Sequence, residues 1–180
     1  RNVTEDPAVL AAALRPSGNK PLDGVMARTA AEITKGATSD LDKVRAIYAW
    51  IVSNCYRNLD TPGCGPGDAV ATLTSAGMGG KCADLNGLFV ALSRASGVPA
   101  RDVYGVRVAP SAFGFSQLGA KDAVITGAQH CRAEVYSPGY GWIAVAPALE
   151  NSAATLAVGT ARPATRTPPR TLTATNIKAE

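Results

Sequence analysis

The sequence predicts an α+β domain. Its first hundred residues carry apolar side chains at spacings of three and four, the period of helices. After Pro99 the period drops to two, the period of strands, and a tight turn separates the last two strand segments. Helices first and an antiparallel meander after them is an α+β order, not an alternating βαβ one.

Residues 1–21 read as an irregular lead-in with one helical patch, DPAVLAAAL, ended by Pro16 and Gly18. Asp23 can cap a helix running through Val25, Met26, Ala30 and Ile33, which Gly36 stops. In TSDLDKVRAIYAWIVSN, Ser39 or Asp40 is the cap and Leu41, Val44, Ile47, Tyr48 and Ile51 form the stripe. A glycine and proline loop, RNLDTPGCGPGD, follows, and Asp68 opens the short helix AVATLTSA. GGKCADLNGLFVAL begins another helix, with Leu85, Leu88, Phe89, Leu92 and Ala95 on one face and Gly97 and Pro99 at its end. ARDVYGVRVAP reads as a strand, 109–129 as a long connection, HCRAEVY as a strand, SPGYG as a turn and GWIAVA as the returning strand. The domain is expected over 22–148. From about 149 to 180 the chain turns to Ala, Thr, Arg and Pro with little periodicity, as a draped tail would.

The net charge is +4, and residues 151–180 supply +3 of it through Arg162, Arg166, Arg170 and Lys178 against Glu180. The body is near neutral, so no nucleic-acid groove is indicated. No run approaches the ~18 apolar residues of a membrane span. No signal peptide is legible. The chain opens on Arg1 rather than Met, and the expectation is that upstream residues have been removed. Periplasm, secretion and cytoplasm all stay open.

Cysteines stand at 55, 64, 82 and 131 beside a single histidine, His130. No pair has CxxC spacing, and one histidine cannot complete a two-histidine zinc site, so no metal is expected. No calcium-loop pattern and no cofactor motif appears. Cys55 and Cys64 are spaced to close a short disulfide loop around NLDTPG.

A thiol attacks as thiolate, and a helix N-terminus and a nearby imidazolium both favour that form. Cys82 has the first. Gly79 and Gly80 are expected to let the backbone turn sharply before it. Its own backbone N–H and the next one would be free to hold an oxyanion. The competing reading makes Cys82 a small core residue, as free cysteines commonly are. Period two puts His130, Arg132, Glu134 and Tyr136 on one strand face and Cys131, Ala133 and Val135 on the other, where Cys131 looks like core. Trp142, Ala144 and Ala146 share a face of the returning strand, with Ala146 about level with His130. An acid that orients the imidazole is expected there; alanine cannot accept that bond. Glu134, ~6.6 Å along the same face, is an auxiliary candidate.

AIYAWIVSNCYR, GGKCADLNGLFVALSRASGVPARDVYGVRV and HCRAEVYSPGYGWIAVAP together resemble the bacterial transglutaminase-like superfamily, over about Leu22 to Ala148. The resemblance implies a papain-like core, with a cysteine at a helix N-terminus packed on an antiparallel sheet that carries histidine and aspartate. It implies thiolate attack on an amide or peptide carbonyl, then transfer of the acyl group to water or an amine. Cys82 matches the nucleophile and His130 the base. The family's Val-Asp-Pro is here Val145-Ala146-Pro147, and Arg132 stands where the family often has Trp. A weakened hydrolase or acyl transferase acting on a peptide or protein is therefore one expectation. A lapsed module that binds such partners is the second, and a structural module stapled by cysteines the third.

Overall fold

The computed structural model describes residues 4–106 and 129–147. Most of the 109–129 connection and the tail from 149 lie outside them.

Five helices precede the main sheet: α1 (Pro7–Ala12), α2 (Gly24–Ile33), α3 (Asp40–Asn54), α4 (Ala69–Thr74) and α5 (Cys82–Ala95). The caps follow the sequence for the most part. Ser39 Oγ accepts the Asp42 N–H at 3.2 Å, and the Asp68 carboxylate accepts that of Ala71 at 2.9 Å. Asp23 stands at the start of α2 but makes no side-chain cap bond.

β3 (Ala100–Val106), β4 (Gln129–Ser137) and β5 (Gly141–Val145) form an antiparallel sheet in that order, with a three-residue turn between β4 and β5. This is the α+β architecture expected.

α5 departs from the one-sided stripe read in its sequence. Every residue from Cys82 to Ser93 is buried. The helix runs through the middle of the molecule, with α2, α3 and α4 on one side and β3 and β4 on the other. A helix surrounded in this way needs apolar or small residues all round, and Ala83, Gly87, Val90 and Ala91 supply them. Leu85, Leu88, Phe89 and Leu92 are fully enclosed, and each contributes about 1.5–3 kcal/mol of burial free energy. The start of α5 is therefore held rigidly.

A second pairing was not legible in the sequence. β1 (Tyr56–Arg57) runs parallel to β2 (Gly79–Gly80). Gly79 and Gly80 do not turn the chain; neither has positive φ. They permit close approach instead. A Cβ at Gly79 would stand 2.6 Å from Tyr56 Cε1, and one at Gly80 would stand 2.8 Å from Asp84 Oδ2. The two glycines thus let the chain pass between the Tyr56 ring and α5, straight into Lys81 and Cys82.

Candidate active site

Cys82 is the first residue of α5 and is 6% exposed. Asp84 fixes the turn before it. One carboxylate oxygen accepts the Lys81 N–H at 2.9 Å, and the other accepts that of Gly67 at 2.9 Å. A buried carboxylate at the third helical position satisfies a helix-start donor and complements the helix dipole. It also ties the 63–67 loop to α5. The same loop makes a second tie, from the Ala83 N–H to the Cys64 carbonyl at 2.8 Å. That bond corrects one expectation: the amide after Cys82 is occupied. The Cys82 N–H takes no hydrogen-bond partner among the described residues.

Three side chains meet at the Cys82 sulfur. The Cys131 thiol donates to it; burial opposes ionisation; His130 and Cys64 add further hydrogen bonds, and His130 adds its charge. The donors win, and the Cys82 thiol is held well below the ordinary cysteine value. Cys131 and Cys64 shift the other way. The bond to Cys82 and then burial push Cys131 up, while burial and then the Cys82 charge push Cys64 up. The three thiols thus shift apart, with Cys82 the one favoured as thiolate. Cys55 is apart from them, at the C-terminus of α3, and burial raises it to about 12.

Strand parity placed Cys131 in the core, and it is there, 2% exposed. The core on that face is α5, whose first residue is Cys82. Asn86, one turn along α5, donates to the Cys131 carbonyl at 2.9 Å and to its sulfur at 3.6 Å. Asn86, Cys131 and Cys82 therefore form a donor chain ending on the thiolate. The sequence signal for Asn86 was its spacing of four from Cys82, which puts both on one helix face.

All four cysteines are free, so the Cys55–Cys64 loop is not closed. Cys64 instead lies beside Cys82, with its sulfur 3.8 Å from the Gln129 carbonyl. The described residues offer no cluster of three or more His, Cys, Asp or Glu side chains arranged to hold a metal ion.

His130, the second residue of β4, pairs with Gly105 of β3. Glu134 does not serve it. Its carboxylate is taken by Arg101, at 2.8 Å, and by Arg132, at 2.6 Å. Arg101 also lies 3.9 Å over the Trp142 ring, whose N–H donates to Glu5 at 2.6 Å. Arg132, the family's tryptophan position, thus belongs to a charged and aromatic layer on the outer face of the sheet. Ala146 lies just past β5. The register pairs Ala133 with Val145, so its continuation sets Ala146 opposite Arg132 rather than level with His130.

A family model described as the Transglutaminase-like superfamily matches residues 27–147. The chain belongs to the transglutaminase-like superfamily. It is 39% identical over 131 residues to an uncharacterized protein of Haemophilus influenzae, a match over 68% of this chain and 36% of that protein. Among solved structures, a candidate cysteine protease of Cytophaga hutchinsonii is similar at a TM-score of 0.60 and 26% identity, over 80% of this chain and 43% of that one. The periplasmic domain of TgpA from Pseudomonas aeruginosa is similar at 0.58 and 23%, over 82% and 49%. At that identity the TgpA likeness is one of fold. The chain spans about half or less of the length of these relatives. Family and fold are those of a cysteine enzyme. No helix among the described residues is long and apolar enough to cross a membrane.

Proposed function

We propose that this domain is a cysteine-dependent hydrolase or acyl transferase acting at amide carbonyls of a peptide or protein, with Cys82 as nucleophile and His130 as general acid and base. One observation carries the reading: the Cys82 sulfur, at the N-terminus of a buried helix, meets the His130 imidazole among donors that favour the thiolate. The thiolate attacks the carbonyl carbon, and the carbonyl oxygen takes up the charge beside the Cys82 N–H. His130 gives a proton to the leaving amine. A thioester remains, and His130 then deprotonates the water or amine that resolves it.

Ala146 leaves His130 without the expected orienting acid. In a serine triad that loss costs about 10⁴ in turnover. Here the Cys131 and Asn86 donor chain supports the thiolate independently of His130, so the loss should be smaller, on the order of 10 to 10³. Ala146 also supports the second reading, a lapsed module that binds peptide without turnover.

The test is the rate of iodoacetamide alkylation at Cys82 against pH, read peptide by peptide. A rate already at its plateau near pH 6 is expected. A rate that rises only through about pH 8.5, like an ordinary thiol, sinks the nucleophile reading. Activated esters then separate the two roles. A burst of acyl-enzyme that vanishes in Cys82→Ala is the enzyme's outcome, and its absence from the unmodified chain is the lapsed module's.

A further inference from the structure

The reaction proposed above uses two of the side chains at the site and leaves Cys64 without a task. We infer that Cys64 is a resolving thiol: on exposure to a hydroperoxide, Cys82 is oxidised and then captured by Cys64 as a reversible disulfide. The inference rests on the reading of Cys82 as a thiolate, but not on any turnover of amides.

Geometry selects Cys64 over the other two cysteines. Its thiol lies within hydrogen-bonding reach of Cys82, and its carbonyl accepts the N–H of the next residue, Ala83, at 2.8 Å. The two backbones are thus tied side by side, as a disulfide's short span requires. Cys64 is half-buried, whereas Cys131 is 2% exposed. Cys131 lies within β4, paired to Tyr104 on one side and bonded to Asn86 on the other. Cys64 sits in a loop between two glycines, and apart from Cys82 its sulfur has, among the described residues, only a long contact, 3.8 Å, to the Gln129 carbonyl. It has the freedom to rotate onto Cys82 that Cys131 lacks. Cys55 is buried at the end of α3.

The chemistry balances in two steps. The Cys82 thiolate attacks the outer oxygen of the hydroperoxide. The O–O bond breaks, the alkoxide or hydroxide leaves and takes a proton, and Cys82 becomes a sulfenic acid, oxidised by two electrons. Cys64 then loses its proton, its sulfur attacks the Cys82 sulfur, and hydroxide leaves with that proton as water. A dithiol reverses the result. The first step also prepares the second. Besides burial, the Cys82 charge is what keeps Cys64 protonated, while Lys81 and Arg57 favour its thiolate. A sulfenic acid is neutral, so that repulsion ends when Cys82 is oxidised. The device would shield the nucleophile from irreversible oxidation.

Trypsin separates all four cysteines, because Arg57, Lys81, Arg94 and Lys121 lie between them. The reduced chain would be treated with a small excess of hydrogen peroxide and digested without reductant. The expected product joins the peptide containing Cys64 to the one beginning at Cys82, with two hydrogens lost. Dithiothreitol should then return Cys82 alkylation to its starting level. In Cys64→Ser, Cys82 should pass to sulfinic acid, and dithiothreitol should not restore it. Sulfinic acid at Cys82 of the unmodified chain with Cys64 still free overturns the inference. So does a crosslink to Cys131, or a Cys82 that peroxide leaves untouched. The readout is mass, not activity. A chain that crosslinks but releases no acyl group keeps this inference and loses the proposed function. A chain that turns over amides without crosslinking does the reverse.

Discussion

Gly65→Ala should be among the most damaging single-methyl additions in this chain. Gly65 has φ +90, a conformation that L side chains rarely adopt, and its added Cβ would overlap the Asp84 carboxylate, with Oδ1 at 2.6 Å. Asp84 cannot step aside. It is 3% exposed and holds the N–H groups of Gly67 and Lys81. Backbone strain of this kind costs about 1–3 kcal/mol, and loss of one hydrogen bond to a charged group about 1.5–3 kcal/mol. The sum, about 2.5–6 kcal/mol, is a large part of a small domain's stability. Gly63 is the control: its φ is +57, and an added Cβ meets nothing within 4 Å. Gly63→Ala should cost only about 1 kcal/mol. In urea, with m about 2 kcal/mol/M, the midpoints should fall by about 2 M for Gly65→Ala and about half a molar for Gly63→Ala, at unchanged m. Equal shifts in the two variants would refute the claim that the Asp84 clamp holds the loop.

Three further outcomes follow from the same geometry. Cys131→Ala removes the first donor to the thiolate, so the pH at which Cys82 alkylation reaches half its plateau should move upward, and Cys131→Ser should move it less. Lys20 and Asp102 form an ion pair at 3.1 Å with side chains 5% and 13% exposed; Lys20→Met strands the carboxylate and should cost about 3 kcal/mol by urea unfolding. Burial raises Glu134, but bonds from Arg132 and Arg101 outweigh it and hold the carboxyl below its ordinary value. Its contribution to stability is therefore complete above the ordinary carboxylate range and fades as pH falls through the lowered value. Glu134→Gln should be less stable than the parent at pH 7, and the gap should close in acid. A gap constant with pH would refute the ion-pair account.

The sequence by itself determined the elements and singled out Cys82 and His130, the pair proposed above to be catalytic. Helices and strands announce themselves through local periods and caps, which is why α3, α5 and the β4–turn–β5 unit were legible with their order. Cys82 was legible because a cysteine after two glycines at a helix start is a local pattern, and His130 because no other histidine competes with it. Strand parity also read the faces of β4 correctly. What it could not supply was the identity of the element on each face. Only the packing of α5 against β4 turned Cys131 from core filler into the donor beside Cys82, and only the fold of the 63–67 loop brought Cys64 across from a supposed partnership with Cys55. The role of Gly79 and Gly80 changed for the same reason. A turn is a property of local backbone angles, but the room they leave for the Tyr56 ring and the Asp84 carboxylate exists only once distant segments meet. Glu134 shared the His130 face as its parity required, yet Arg101, thirty-three positions away, had already claimed it. Period and capping act over one or two turns of chain and can be read from residues in order. Hydrogen bonds and charge pairs act over a few ångströms of space, and in this protein the groups that tune the thiolate are brought together by the fold rather than by adjacency in sequence.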